Sequence, residues 1–151
     1  MELSINSAVL KYNLLNCLKY SDETYNVPRE LKVRLIRMKL DLEKIYKEFN
    51  LFQQQALEEI KTDRYKYLVD KKDRTPEEEK EVNDLMKELN EDLHKIVREK
   101  SLDKVNVNFN YLTEDEFNDI LLVNVNNNVR INGMDIASEE YIELFHNEFV
   151  R

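Results

Sequence analysis

Residues 28–70 read PRELKVRLIRMKLDLEKIYKEFNLFQQQALEEIKTDRYKYLVD, and this stretch holds the longest regular apolar pattern of the chain. Within it, apolar residues recur at alternating steps of four and three: Leu31, Leu35, Met38, Leu42, Ile45, Phe49, Phe52 and Ala56. This heptad spacing predicts one long amphipathic helix from Pro28 to about Asp70, roughly 60 Å long at 1.5 Å per residue. Pro28 suits its first turn, because the ring fixes a helical φ and the missing N–H is not needed there.

The first half of this helix is apolar on a second side. Val33, Ile36 and Leu40 fall roughly opposite the heptad positions when about 100° is counted per residue. A helix that is apolar on two sides has to be covered on both. We therefore expect residues 31–45 to be sandwiched between other elements, whereas one covered face suffices from Phe49 onward.

A second helix opens at Thr75-Pro76-Glu77-Glu78, the strongest local signal in the chain. Thr75 can cap the helix, Pro76 fits its first turn, and Glu78 completes a capping box. The helix is predicted to reach about Lys100, with an apolar stripe of Val82, Leu85, Met86, Leu89, Leu93, Ile96 and Val97. Because only the charged segment 70–74 separates the two helices, they are expected to form an antiparallel hairpin.

The remaining segments predict short helices and strands. Residues 2–5 alternate weakly, as in a short strand, and the next apolar residues indicate a helix from about Ser7 to near Tyr20. Apolar residues alternate with asparagine over residues 105–111, which predicts a half-buried strand. A second capping box, Thr113 to Glu116, opens a short helix.

The C-terminal part predicts a β-hairpin and a last helix. Asn126-Asn127-Asn128 separates two valine-containing runs and is expected to form the turn of the hairpin. Asn132-Gly133, which holds the only glycine, is a further turn, and Ser138 is expected to cap the last helix.

These elements predict a single domain, 1–151, of a mainly α, α+β class. Residues 28–100 are expected to form a long, coiled-coil-like helical hairpin. It would project from a small α+β base made of residues 1–27 and 101–151, which includes the short β-hairpin.

The composition argues against several classes of protein. The formal net charge is −8 and no basic stripe is visible, so nucleic acid is not an expected partner, since a phosphate backbone needs clustered Lys and Arg. One glycine cannot build a glycine-rich phosphate loop. No arrangement of Ser, His and Asp suggests a nucleophilic enzyme, and no cofactor is predicted.

Cysteine use and hydropathy indicate the compartment. The lone Cys17 cannot form an internal disulfide, so an oxidising compartment is not required, and its helical spacing from Leu14 and Leu18 predicts a buried small hydrophobe. No signal peptide is visible, and no window approaches the roughly 18 apolar residues of a membrane helix. The expectation is a cytoplasmic protein without a membrane partner.

Both histidines follow a glutamate by three residues, in Glu91…His94 and Glu143…His146. This spacing places two ligands on one helix face and recurs in carboxylate-bridged di-iron bundles. Such a site also needs one Glu from each of two further helices that run alongside for several turns, and the last helix here is short. The four residues are therefore only remote metal-ligand candidates, and an ordinary surface role is the stronger interpretation.

Residues 1–110 carry a recognisable layout. A short strand and helix precede a long helix that opens near residue 30, and a charged hairpin leads into Leu85-Met86-Lys87-Glu88-Leu89-Asn90 and on to Val105-Asn106-Val107. This layout resembles small uncharacterised tailed-phage proteins encoded among morphogenesis and tail genes. The resemblance implies a virion, tail or connector component found in the host cytoplasm or the virion, and it carries over no functional residues.

The pattern and the resemblance together predict a non-enzymatic structural or assembly protein that acts through helix packing, with a homo-oligomer or larger protein assembly as its expected state. The candidate interaction surface, called the apolar seam below, comprises Leu31, Leu35, Met38, Leu42, Ile45, Phe49, Phe52, Ala56, Leu85, Leu89 and Leu93. Two other functions stay open: a monomeric assembly chaperone or adaptor that holds a partner on the acidic hairpin, and, remotely, a small carboxylate-bridged metal protein. The seam could equally be internal core.

Overall fold

The computed structural model describes residues 1–151. In chain order the elements are β1 (Glu2–Ser4), α1 (Ile5–Asn16), α2 (Arg29–Ile60), α3 (Asp63–Asp70), α4 (Pro76–Ser101), β2 (Lys104–Asn106), α5 (Glu114–Asn124), β3 (Val129–Ile131), β4 (Met134–Ile136) and α6 (Ser138–Phe149). Strand β1 pairs antiparallel with β2, and β3 pairs antiparallel with β4. The mainly α, α+β class predicted from the sequence is confirmed.

The chain divides into two compact units. Unit 1 contains residues 1–46 and 104–151, and unit 2 contains residues 47–103. The boundary falls inside α2, whereas the sequence assigned residues 28–100 together to the hairpin. The first half of α2 belongs to unit 1 because its buried side chains are part of that core: Leu31, Leu35, Met38 and Leu42.

The largest completely buried side chains in the core of unit 1 are aromatic. Tyr141, Phe145 and Phe149 of α6 are completely buried, and the rings of Phe145 and Phe149 stack with centroids 4.4 Å apart. Tyr12 of α1 stacks on Tyr46 of α2, also at 4.4 Å. The period of α6 thus brings its aromatic residues to one face, against α1 and α5.

The prediction of one helix reaching about Asp70 is wrong, because the helix breaks after Ile60. The hydroxyl of Thr62 accepts a hydrogen bond from the N–H of Tyr65 at 3.1 Å and caps α3 as a separate helix. Leu68 of α3 is then completely buried. Its burial offsets the helical hydrogen bonds that the break gives up.

The expectation that residues 31–45 are covered on two sides is also wrong. Val33 and Leu40, opposite the apolar seam, have exposed fractions of 37% and 53%. Ile36 beside them is half-buried. The first half of α2 therefore presents one side to the core of unit 1 and leaves an apolar strip uncovered on the other.

The predicted strand over residues 105–111 is correct as a burial pattern but too long. Val107 and Phe109 are buried and the alternating Asn106, Asn108 and Asn110 are exposed, yet only β2 pairs as a strand. Its partner β1 is equally short, and the ladder ends where the N–H of Val107 donates to the carbonyl of Met1 at 2.8 Å. The next backbone pairing comes only at Leu112, which forms an isolated parallel bridge with Val150.

The β-hairpin turns at Asn132-Gly133, where the sequence predicted a further turn, and the prediction that residues 126–128 form the turn of the hairpin is wrong. Asn132 and Gly133 have φ angles of 52° and 77°, a left-handed pair that matches the twist of a two-residue hairpin and that Asn and Gly adopt most readily. Helix α5 continues to Asn124, so the residues before the predicted turn are helical and not a strand.

The helix caps show which local signals are reliable. Both capping boxes are confirmed, in Thr75 with Glu78 and in Thr113 with Glu116, where each threonine and glutamate exchange side-chain-to-backbone hydrogen bonds of 3.0–3.2 Å. Helix α1 begins earlier than predicted, at Ile5, because the preceding Ser4 caps it, and it ends at Asn16 rather than near Tyr20.

The predicted cap by Ser138 is wrong. The N-cap position of α6 is Ala137, whose side chain cannot accept a hydrogen bond. Instead, the N–H of Ser138 donates to Oδ1 of Asn128 at 2.9 Å. An asparagine before the β-hairpin thus supplies the acceptor that the start of α6 lacks.

Two buried amides tie α5 to the segment that follows α1. The side chain of Asn124 is completely buried; it accepts from the N–H of Lys19 at 3.0 Å and donates to the Lys19 carbonyl at 2.9 Å. Asn127 donates to the carbonyl of Cys17 at 2.9 Å and to Oδ1 of Asn124 at 3.0 Å. These bonds satisfy backbone groups that the end of α1 would otherwise leave unpaired in the core.

Candidate interaction surface

The structure divides the apolar seam between two cores. In unit 1, Leu31, Leu35, Met38 and Leu42 are buried and Ile45 is half-buried; in unit 2, Phe49, Ala56 and Leu89 are buried and Phe52, Leu85 and Leu93 are half-buried. The unit 1 part of the seam is therefore interior to the chain and closed to a partner. Only in unit 2 does a substantial part of it still meet solvent.

Unit 2 is a layer built from the second half of α2 and from α4. Nζ of Lys100 lies 5.4 Å from the ring centroid of Phe52, and Ile60 shares a hollow with Leu85. Phe52 precedes Ile60 in α2, whereas Lys100 follows Leu85 in α4. The two segments therefore run antiparallel, as expected from the sequence.

Ion pairs attach α3 and the following loop to the start of α4. They are Arg64–Glu81, Lys71–Glu78 and Arg74–Glu79, with N···O distances of 2.7–2.9 Å. Helix α3 buries a single side chain, Leu68. Charge pairing together with this one apolar contact therefore fixes its position.

Glu78 is expected to make α4 sensitive to acid. Hydrogen bonds from Lys71 and from the N–H of Thr75 lower the pKa of its carboxyl from the ordinary value of 4.5 to about 2. Because the pKa is lower in the folded state, the stabilisation is fully present above about pH 4.5 and is lost as the pH falls through 2. Glu78→Gln should therefore flatten the acid branch of helicity, followed by circular dichroism from neutral pH to pH 2.

The control for this experiment is Glu77→Gln, one position earlier in the same first turn. Glu77 is exposed and its carboxylate takes part in no ion pair, so that variant should keep the acid branch of the wild type. If both variants flattened the curve equally, the general charge at the helix start, and not the Glu78 contacts, would account for it.

Only a few of the apolar side chains of unit 2 are buried. The buried ones are Phe49, Ala56, Leu68, Val82 and Leu89. The half-buried ones are Phe52, Leu57, Ile60, Leu85, Leu93, Ile96 and Val97, while Leu51 and Met86 are exposed by 52% and 42%. A helix pair has no second layer to close over its apolar side, so this side stays open.

Two shallow hollows follow the line between α2 and α4. One is lined by Phe52, Gln55, Ala56, Glu59, Ile60 and Ile96, and the other by Ile60, Thr62, Tyr65, Leu85, Glu88, Leu89 and Asp92. Because Ile60 belongs to both, they form one continuous surface, which we call the hairpin groove. Its lining is partly apolar and partly polar, and we call its exposed carboxylates, those of Glu59, Glu88 and Asp92, the rim.

The four metal-ligand candidates do not form a centre. Glu91 and His94 are exposed on α4 in unit 2, whereas Glu143 and His146 lie on α6 in unit 1. Nε2 of His146 lies 2.9 Å from Oε1 of Glu114 of α5 and not against Glu143. No group of three or more His, Cys, Asp or Glu side chains is arranged to hold a metal ion.

Two other side chains with reactive groups serve the fold of unit 1. Burial raises the pKa of the Cys17 thiol, which donates to the carbonyl of Arg130 at 3.8 Å. Lys11 is 4% exposed and forms an ion pair with Glu148 of α6. Nothing in the sequence around Lys11 marks it as buried, because a single lysine on an amphipathic helix ordinarily faces water.

None of the helices combines the length and the apolar character that crossing a bilayer requires. A comparison of the chain with protein-family models, curated proteins and solved structures found no match. The resemblance to tailed-phage proteins therefore stays a prediction from the sequence, and the functional argument depends on the surfaces described above.

Proposed function

We propose that this chain is a non-enzymatic structural or assembly protein that binds a protein partner through the hairpin groove of unit 2. The supporting observation is the set of apolar side chains that α2 and α4 leave half-buried there. Covering such side chains contributes about 25 cal/mol for each Å² of apolar surface removed from water. The tailed-phage resemblance extends the proposal to a virion, tail or connector component, acting in the host cytoplasm or in the particle.

The first candidate partner is a second copy of this chain. Two helix pairs that face each other through their grooves would form a four-helix arrangement, with Ile60, Leu85 and Ile96 in its core. The rim carboxylates of Glu59 and Glu88 would remain at the solvent edge, where like charges cost little. This geometry gives each copy the second layer that unit 2 lacks.

The second candidate is a different protein held by a monomeric adaptor. It is favoured by the closed core of unit 1, whose part of the seam is buried without a second copy. The acidic rim of the groove would then favour a partner with basic side chains flanking an apolar strip.

Light scattering over a tenfold concentration range distinguishes the two candidates. A discrete multimer that persists on dilution is expected for a second copy, and a mass of 18.2 kDa for the adaptor. The double variant Leu85→Gln, Ile96→Gln should reduce a multimer to the monomer while its circular dichroism stays that of a folded protein. The control Lys87→Gln, Asn90→Gln, on the exposed side of α4, should leave the mass unchanged.

Each candidate has a result that contradicts it. A monomer at every concentration removes the second-copy interface and leaves the adaptor, which then predicts a partner retained by the wild type and lost by the double variant. A multimer whose mass the double variant leaves unchanged contradicts the hairpin groove as the interface.

A further inference from the structure

The uncovered side of the first half of α2 combines apolar and basic residues. Val33 and Leu40 are exposed by 37% and 53%, although the seam on the opposite side of the same helix is buried. Arg29, Arg37 and Lys44 are exposed and lie within about 40° of Val33 when 100° is counted per residue. We call these five residues the basic face; it belongs entirely to unit 1.

The charge of this face is opposite to that of the chain. Residues 29–46 contain six Lys and Arg against three Asp and Glu, in a protein whose net charge is −8. Arg34 pairs with Glu116 of α5, and it lies about 100° around the helix from Val33, outside this face. The side chains of Arg29, Arg37 and Lys44 form no hydrogen bond or ion pair within the chain, so their charges are free to meet a partner.

The arrangement matches one kind of occupant. Two apolar residues seven positions apart, flanked by cations, complement a partner helix with apolar residues at heptad spacing and carboxylates on either side. The basic face is about as wide as the contact strip of one partner helix. Its margins are half-buried Ile36 and exposed Glu30, which lie about 60° from Val33 in opposite directions.

Other occupants fit less well. A second copy that paired this face with itself would bring Arg29 of one chain towards Lys44 of the other, and like charges would oppose contact. Val33 and Leu40, at the centre of the face, would make no favourable contact with a phosphate backbone. Two apolar side chains are also too few to anchor a helix in a bilayer interface.

We propose that the basic face binds an acidic amphipathic helix of a partner protein. The apolar pair supplies the contact at the centre, and the three cations fix the orientation of the acidic partner. This surface is separate from the hairpin groove, so the inference holds or fails independently of the proposed function.

Fluorescence anisotropy with a synthetic peptide tests it on the full chain. The probe is a labelled peptide of about four helical turns with leucines at heptad spacing and glutamates beside them. The comparison peptide has the same composition, with its leucines distributed around all sides of the helix. We expect the patterned peptide to bind at least tenfold more tightly than the scrambled one.

Variants assign that binding to the basic face. Arg37→Glu with Lys44→Glu should weaken binding of the patterned peptide at least tenfold, and Leu40→Gln should weaken it several-fold. The control Lys72→Glu, Lys80→Glu changes the net charge equally at exposed positions of unit 2 and should leave the affinity within about twofold of the wild type after correction for long-range charge. Thermal unfolding of each variant verifies that it is folded.

Three results would overturn the inference. Equal binding of the two peptides would reduce the face to an unspecific cation-rich surface. An affinity that Arg37→Glu, Lys44→Glu leaves unchanged would place the binding elsewhere. Displacement of the patterned peptide by duplex DNA or by phosphatidylglycerol vesicles at lower concentration than by unlabelled peptide would identify a different class of ligand.

Discussion

Replacing Phe145 by alanine is expected to lower the free energy of unfolding of unit 1 by about 3–5 kcal/mol. Phe145 is completely buried, and its ring stacks on Phe149 with an interplanar angle of 19°. Tyr141 and Phe117 lie on its other sides, with ring centroids at 6.2 and 6.4 Å. Removing the ring therefore leaves a cavity whose lining loses contacts on several sides at once.

Urea unfolding followed by near-ultraviolet circular dichroism measures this loss, since most of the tyrosines lie in unit 1 and the chain has no tryptophan. Asn147→Ala is the control, because Asn147 is exposed on the same helix; it should change the free energy by no more than about 0.5 kcal/mol. A loss below about 1 kcal/mol for Phe145→Ala would show that this aromatic cluster is not the core of unit 1.

The second large effect concerns the ion pair between Lys11 of α1 and Glu148 of α6. Glu148→Ala is expected to cost about 3 kcal/mol, because it leaves the ammonium of Lys11 buried without its counter-charge. The Lys11 side chain is 5% exposed, and Nζ otherwise has the Ser7 hydroxyl at 3.4 Å and the Phe109 ring at 5.3 Å. These contacts compensate only part of the lost charge pairing.

Replacing the other partner of the ion pair, Lys11, should destabilise the fold much less. Lys11→Met keeps an unbranched apolar stem in the same place, and the carboxylate that it leaves behind is 28% exposed and can be hydrated. We expect a cost below about 1 kcal/mol from the same urea measurement. The opposite order, with Lys11→Met the more damaging variant, would contradict a buried ammonium and indicate that Lys11 reaches water.

Much of the helical architecture could be predicted because its signals are local. The capping boxes at Thr75 and Thr113 need only residues three positions apart, and the structure shows both. The heptad spacing correctly marks the buried side of α2, since helical period and burial are directly connected. The break after Ile60 also has a local signal, since the heptad spacing ends at Ala56 and Thr62 is a residue type that caps helices.

Other features depend on tertiary contacts and left no trace in the local pattern. Asn124 and Asn127 are polar residues in an asparagine-rich segment and favoured a turn, yet both are buried, because Lys19 and Cys17 present backbone groups to them. The N–H of Ser138 at the start of α6 donates to Asn128, ten residues earlier and on the other side of the β-hairpin. Burial of Lys11 needs a carboxylate from the opposite end of the sequence.

For the candidate surfaces, too, the local pattern predicted some features, and others depended on tertiary contacts. The sequence identified the apolar residues of α2 and α4 but could not say which of them the chain covers by itself. Val33 and Leu40 were expected to be buried because they are apolar, and their exposure is what makes the basic face visible. The two Glu-x-x-His pairs shared a spacing, but spacing along a helix does not bring two helices together.

The Asn132-Gly133 turn contains a sequence that can deamidate slowly. In a flexible chain the amide nitrogen of glycine attacks the preceding asparagine side chain, ammonia leaves, and water opens the resulting ring to aspartate or isoaspartate. The left-handed φ angles of 52° and 77° hold this backbone in a fixed turn and restrain that attack. We therefore expect Asn132 to gain a negative charge more slowly in the folded protein than in the urea-unfolded chain.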